Sequence, residues 1–428
     1  MDTVLMLLGL IALVLINVPI AAAIGVVAMT AMFILHGIQQ DLLNIALAMY
    51  EGTRSFPLLS IPMFILAGSI MNAGGISKRL IDFCSALLGS IRGGLAMVDI
   101  GVSIFFAEIS GSAVADVAAT GSIIIPGMKR KGYPAEFAAA TTSSSASLAI
   151  IIPPSIPMIL YGTIAGASIV QLFVGGIVPG LLGGFGLMSV AYWYARRYNF
   201  PIEQVFNLCN LWVAFKAASW AFLLPIIILG TIFGGWVTAT EGAAVAVLAA
   251  VFISGAIYRE IDFKFLWETT IDGVIQTAVV MLLIAASALL GLYLTETRVP
   301  QKVAQWLTAL TNDRHAVLAI LNLLFFVLGF FLHSAAAIIL VVPIVMPLVN
   351  LVGIDPVHFG IIVTLNLAIG QQTPPVASVL IAACSIAKTD IWATTRWNLP
   401  YIGVLIAVLL LVTYVPPVSL FLVDYFYR

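Results

Sequence analysis

The sequence predicts an all-α integral membrane protein: a polytopic helical bundle of two inverted repeats, each carrying a re-entrant helical hairpin and a broken helix. Three observations carry this expectation. Of 428 residues, 62% are hydrophobic and only 9% charged, against about 25% charged in a soluble domain. Mean hydropathy is +1.14, and apolar stretches of membrane-spanning length recur from Val4 to Val423 between short polar loops. The third observation is internal similarity between the two halves, taken up below. The ten-residue alternating strands of a membrane barrel are missing.

Apolar segments fall at about 3–35, 57–75, 93–127, 134–165, 172–194, 218–236, 240–258, 271–294, 316–349, 356–387 and 398–423. Several exceed one bilayer crossing and must be broken or doubled back. Pro19 either kinks one long helix in 3–35 or divides two short ones. Lys and Arg prefer cytoplasmic loops. Placing Lys129-Arg130-Lys131 and Arg196-Arg197 inside and alternating the spans puts thirteen of the 18 basic residues on the cytoplasmic side and five outside.

A shift of 221 to 223 residues superimposes the halves at several places. Ile152-Pro153-Pro154 lies over Thr373-Pro374-Pro375, and Pro179 lies over Pro400. Upstream, Ser112-Ala113 meets Ser334-Ala335, and Tyr133-Pro134 with Phe137 meets Asp355-Pro356 with Phe359. The loop at 129–133 is cytoplasmic in this topology and its counterpart at 351–355 external, so the repeat is inverted. That architecture belongs to secondary transporters. The first repeat is expected over 1–200 and the second over 218–428, with 201–217 as a cytoplasmic connection.

Each repeat has two irregular elements. One is a helical hairpin turning at Ser110-Gly111-Ser112, its partner turning near His333-Ser334; arms of about 17 residues only just cross a core of about 30 Å. The other is a helix interrupted by proline. Thr141 to Ser147 leads into Pro153-Pro154-Ser155-Ile156-Pro157, and Gly370-Gln371-Gln372-Thr373-Pro374-Pro375 interrupts the second repeat. Proline has no N–H, so the carbonyls four residues earlier, on Ala149, Ile150, Gly370 and Gln371, lose their helical donors. They must be satisfied by protein, water or a cation.

A sodium ion takes such carbonyl and hydroxyl oxygens. The expected sodium-binding residues are Ser110, Gly111, Ser112, Ala149, Ile150, Pro154, Ser334, Gly370, Gln371, Thr373 and Pro375. Asp116, Ser145, Ser147, Ser155, His333 and Gln372 are expected to line the substrate cavity. The competing explanation is that kinks and small residues merely allow close helix packing. Glu108, Asp99, Glu241 and His358 complete the ionisable residues in apolar context, where charge is costly and usually functional. Asp99 and Glu241 also fit helix ends, and His358 fits a capping role after Asp355-Pro356.

Other chemistries are disfavoured. Cys84, Cys209 and Cys384 are far apart and fit inert thiols. A net charge of −1 excludes a polybasic nucleic-acid binder, and the N-terminus lacks the basic region of a signal peptide. There is neither a nucleotide-binding G-x-x-x-x-G-K-[ST] loop nor an H-E-x-x-H helix. Tyr192-Trp193-Tyr194, Trp392 with Trp397, and Tyr425-Phe426-Tyr427 read as interfacial belts.

The residues resemble the large membrane subunit of the tripartite ATP-independent periplasmic (TRAP) transporters. The resemblance runs through Arg92-Gly93-Gly94-Leu95, Ile109-Ser110-Gly111-Ser112-Ala113, Ala115-Asp116, Ile125-Pro126 and Ile152-Pro153-Pro154-Ser155. It continues through Thr238-Ala239-Thr240-Glu241, Gly353-Ile354-Asp355-Pro356-Val357-His358-Phe359-Gly360 and Thr373-Pro374-Pro375. It implies an elevator-type, Na+-coupled importer of organic acids in the bacterial inner membrane. Its implied partners are a separate small subunit of about four helices and a periplasmic substrate-binding protein. The run from Leu367 to Ser378, with Leu332-His333-Ser334, is similar to the sialic-acid branch; a C4-dicarboxylate or other sugar acid is the alternative. A membrane-embedded enzyme is the runner-up class and a channel or scaffold the third, but no catalytic pair stands within a helical turn or two.

Overall fold

The computed structural model describes residues 6, 9–10, 12–13, 16, 18–36, 42–311, 313–374 and 377–427, with side chains except at 36, 42, 106–110, 307, 308 and 310. Every regular element among them is helical. Eight are long and apolar enough to cross a membrane. Pro19 stands outside helix, and α1 (Ile20–His36) begins directly after it, so the proline divides the first apolar segment.

One group of helices packs without either hairpin at its centre. It comprises α1, α2 (Leu42–Thr53), α3 (Ser60–Ala73) and α4 (Ile76–Leu88). The later helices α11 (Leu208–Phe233), α12 (Ala239–Phe252) and α13 (Phe263–Glu296) join it. Within it α13 lies along α1, α2 and α3, while α12 packs on α3 and α11 on α4. Asn207 accepts a hydrogen bond from the Cys209 N–H at 2.9 Å and starts α11 at Leu208. The stretch 198–207 between α10 and α11 is not helical, and α11 begins inside the expected connection at 201–217.

The second group holds the irregular elements. The first hairpin is α5 (Gly94–Ser110), a turn at 111–112, and an arm made of α6 (Ala113–Asp116), a π-helical turn (Val117–Gly121) and α7 (Ser122–Arg130). Then come α8 (Ala135–Ala146), the broken region, α9 (Ile156–Ala165) and α10 (Ile169–Arg197). In the second half, α14 (Val299–Leu310) precedes the hairpin of α15 (Arg314–Phe331) and α16 (Ser334–Leu351). After it follow α17 (Pro356–Gly370), a break, α18 (Ser378–Ala387), α19 (Ile391–Tyr414) and α20 (Pro417–Tyr427).

Contacts at the two ends give the broken helices their relative direction. At one end Lys129 Nζ, just before α8, donates to the carbonyl of Ala387, the last residue of α18, at 2.7 Å. At the other, Tyr161 of α9 donates its hydroxyl to the Pro356 carbonyl at the start of α17, at 2.7 Å. The two broken helices thus run antiparallel, the relation an inverted repeat requires. Loops assigned to one side by their basic residues also meet: Arg79 pairs with Glu260 at 2.7 Å and Lys131 with Glu203 at 3.5 Å.

The aromatic belts need revision in part. Tyr192, Trp193, Trp392, Tyr425 and Phe426 are exposed, as a belt requires. Tyr194 is buried and turns inward with Trp397, both meeting Phe137 edge to face at 5.4 and 5.7 Å between ring centroids. An aromatic cluster there fills the space where α10 and α19 cross α8.

Candidate functional site

The breaks arise from local chemistry. Along α8, Thr141 donates to the Phe137 carbonyl at 2.9 Å and Ser145 to that of Thr142 at 3.1 Å; beyond it Ser147 donates to Ser144 at 2.6 Å. Hydroxyls that bond back to the preceding turn weaken and tighten a helix. Here α8 passes into a 3-10 turn at Ser147–Ile150, and Pro153 and Pro154 end it. Ser155 restarts the chain as the cap of α9, donating to the Ile150 carbonyl at 2.6 Å and accepting from the Met158 N–H at 3.4 Å. The expected cavity residue is thus a buried cap that spends its hydroxyl on the turn.

In the second break the carbonyls are again supplied by the chain. Gly370 accepts from the Thr373 N–H at 3.0 Å and Gln371 from the Val379 N–H at 3.1 Å. With Ile150 this accounts for three of the four carbonyls released by proline, which the sequence left open between protein, water and cation. A carbonyl has a second lone pair, so each can still meet an ion. Thr373 donates to the Ile369 carbonyl at 2.8 Å, and α18 restarts after Ala377, a non-glycine residue at φ 41°. Pro375 lies outside the described residues, as do the side chains of Ser110 and Glu108.

The first hairpin tip meets the first break. Gly111 has φ 57°, a conformation that suits glycine. A Cβ on it would stand 3.0 Å from the Pro154 carbonyl oxygen and 3.1 Å from the Ile156 nitrogen. The structure therefore brings Gly111 and Pro154 together. In the second half the close approach is one turn below the tip, where Gly329 of α15 lies against Gly370. At that tip His333 caps α16, its Nδ1 accepting from the Ala335 N–H at 3.4 Å, beside buried Ser334.

The two breaks are joined to each other. The Ser144 hydroxyl lies 2.8 Å from Gln372 Oε1 and 2.6 Å from Asn398 Oδ1, and Asn398 Nδ2 donates to the Gln372 carbonyl at 3.0 Å. Gln372 Nε2 reaches Ser147 Oγ at 3.3 Å. All four residues are fully buried. Sequence reasoning missed Asn398, although an asparagine two residues before the repeat-related Pro400, in an apolar helix, was a readable signal. It also missed a second polar chain in which Asn366 donates to Asn322 at 2.7 Å and Asn322 to Thr413 at 3.0 Å.

Other expected residues separate from this centre. Glu241 forms a capping box with Thr238, accepting from its N–H at 2.8 Å, which places it at a helix end and exposed. His358 is not a cap in a loop: it is buried in the first turn of α17, its Nδ1 2.7 Å from Ser419 Oγ, and Asp355 does the capping by accepting from Val357 and His358 N–H groups at 2.8 and 3.0 Å. Asp99 and Asp116 are fully buried. Among the described residues no cluster of three His, Cys, Asp or Glu could hold a metal.

Comparison with known proteins gives the chain its family. The chain is 40% identical over 422 residues to the isethionate TRAP transporter permease protein DctMQ of Oleidesulfovibrio alaskensis, covering 98% of this chain and 66% of that one. It is 37% identical to the 2,3-diketo-L-gulonate TRAP transporter large permease protein YiaN of Escherichia coli, over 94% of both chains. With the C4-dicarboxylate TRAP transporter large permease protein DctM of Pseudomonas aeruginosa the identity is 38%, over 89% of this chain and 90% of that one. The crystal structure of the Alcanivorax borkumensis YdaH transporter matches with a TM-score of 0.62 and 16% identity over 88% of this chain and 89% of that chain, a likeness of fold. The profile of the tripartite ATP-independent periplasmic transporter DctM component matches residues 7–418, and the chain belongs to that family.

Proposed function

We propose that the chain is the large permease of an Na+-coupled importer of small organic anions, working in the inner membrane with a small membrane subunit and a periplasmic binding protein. The observation that carries this reading is the meeting of tip and break, Gly111 against Pro154, with the two breaks tied through Ser144, Gln372 and Asn398. Discontinuous helices facing one another inside a membrane are where transporters hold ions and substrates. The cation would take the hydroxyls of Ser112 and Ser334 and the carbonyls around Ile150, Gly370 and Gln371. One half, 1–200, and the other, 218–428, would be the two inverted repeats, giving related inward- and outward-facing states by an elevator motion.

Among substrates, the wider alternative stands ahead of sialic acid. The three named relatives are an isethionate, a diketogulonate and a C4-dicarboxylate transporter, a sulfonate and two classes of carboxylate. A small acid with one or two anionic groups fits all three. The test is uptake of C4-dicarboxylates, sugar acids, sialic acid and isethionate in proteoliposomes containing the permease and both partners. Uptake is expected to require inward Na+ and to ignore ATP; undiminished uptake with K+ replacing Na+ on both sides would refute the coupling.

A further inference from the structure

The first hairpin encloses two carboxylates that the reading above does not use. Asp99 and Ser103 stand one turn apart on the same face of α5. Asp116 stands at the end of α6, and both aspartates and Ser103 are fully buried. The arms of the hairpin pack against each other, α5 on α6 and on the π-helical turn that follows it, and the Asp99 charge and the Ser103 hydroxyl are near enough to act on Asp116. No ion pair among the described residues involves either aspartate. The Thr142 hydroxyl donates to Asp99 Oδ2 at 2.6 Å. Among the described residues, Asp99 Oδ1, both carboxylate oxygens of Asp116 and Ser103 Oγ have no partner in hydrogen-bond geometry.

We propose that Asp99, Ser103 and Asp116 form a buried site for an alkali cation, Na+, inside the first hairpin. A buried carboxylate without a partner is among the most expensive groups a membrane interior can hold. A hard cation taking oxygen ligands removes that cost. The oxygens present are of that kind: carboxylates from both arms of the hairpin and one hydroxyl between them, with no thiolate or imidazole to favour a transition metal. The backbone is also irregular there, since the π-helical turn Val117–Gly121 begins directly after Asp116 and the Thr120 hydroxyl donates to the Asp116 carbonyl at 2.9 Å. Through Thr142 the site leans on α8, upstream of the first break. It lies on the side chains of the hairpin arms, apart from the tip at Gly111 and Ser112. A cation here would hold both arms and α8 together and give the hairpin a Na+ requirement of its own.

The test is thermal stability of the purified full chain in detergent, with Na+ titrated against choline at constant ionic strength and pH. Wild type is expected to be stabilised saturably. Asp99→Asn and Asp116→Asn are expected to raise the half-saturating Na+ about tenfold or more, and Ser103→Ala about threefold or more, as loss of a ligand to a charge does. Ser103→Ala decides the matter if the aspartate variants fail to fold, because among the described residues its hydroxyl holds no hydrogen bond of good geometry, so its loss removes a cation ligand and little else. The proposal is overturned if Ser103→Ala and every folded aspartate variant keep the wild-type response. It is overturned equally if the asparagine variants are more stable without Na+ and respond to it unchanged, since the carboxyls would then be buried neutral acids. Ser112→Ala in the same titration keeps the two readings apart: a shift there with none for Ser103→Ala removes this site and leaves the tip standing.

Discussion

The contact between Gly370 and Gly329 gives a prediction whose size follows from the structure. A Cβ placed on Gly370 would stand 2.5, 2.6 and 2.9 Å from the Cα, carbonyl carbon and carbonyl oxygen of Gly329. All three are backbone atoms, so no side chain can rotate away, and carbon contacts of about 3.5 Å require α15 and α17 to part by about 1 Å. We expect Gly370→Ala to cost about 3 kcal/mol, the upper end of overpacking. Gly370 ends its helix, so little helix propensity is regained. The reciprocal change is milder: on Gly329 a Cβ meets Gly370 Cα at 3.0 Å and nothing else closer than 3.5 Å. Its strain of about 1 kcal/mol is partly offset by the gain of replacing a glycine in the last turn of α15. The assay is the apparent melting temperature of purified protein, where a chain of this length shifts on the order of 1 °C per kcal/mol. Gly370→Ala is expected to lose about 3 °C by that scaling and Gly329→Ala almost none. The double variant is expected to lose more than the sum, because two methyl groups then meet. Equal losses from the two single changes, or strict additivity in the double, would refute the reasoning.

Ser112→Ala is expected to raise the Na+ needed for half-maximal uptake about tenfold, one decade per 1.4 kcal/mol, whereas Ser122→Ala, whose hydroxyl only bonds back to Ala119 at 3.0 Å, leaves it unchanged. Similar mild effects at both positions in a Na+ titration of uptake would assign the tip serine to packing. For topology, cysteines replacing Arg130 and Leu351, both exposed, are expected to react with a membrane-impermeant reagent from opposite faces. These positions serve better than the neighbouring Gly132 and Gly353, whose φ values of 86° and 67° make any side chain strained. Labelling of both from one face would show that the repeats are parallel.

The irregular elements were legible because proline and glycine act on their own backbone. Pro153, Pro154 and Pro374 stop their helices wherever the rest of the chain goes, and Gly111 marks a left-handed turn. Local signals for helix starts also stand at four further residues. Ser155 before Ile156-Pro157 has the pattern of a helix cap with proline in the first turn. Thr238 and Glu241 have the spacing of a capping box, and Asn207 before an apolar run that of a helix start. The ties between distant segments were not legible. Whether Ser144 faces Gln372 and Asn398 depends on how three helices rotate against each other. Likewise, whether Asp99 and Asp116 come near each other depends on the depth at which the hairpin arms cross.

The antiparallel broken helices also arrange the backbone's own charge. The interruptions leave four helix ends in the interior: carbonyl-bearing ends at Ser147–Ile150 and Gly370, and amide-bearing ends at Ile156 and Ser378. Aligned peptide dipoles put about half a negative charge on each of the first pair and about half a positive charge on each of the second. Inside a membrane these poles are poorly screened. The same layer can therefore draw a metal cation to one pair and an acid group to the other, without placing a fixed charge in the path. Because the poles cancel, the centre where the breaks meet would add little to the cost of the proposed elevator motion. In the proposed transport cycle the loaded centre would be nearly as neutral whenever cation and anion travel in matching charge.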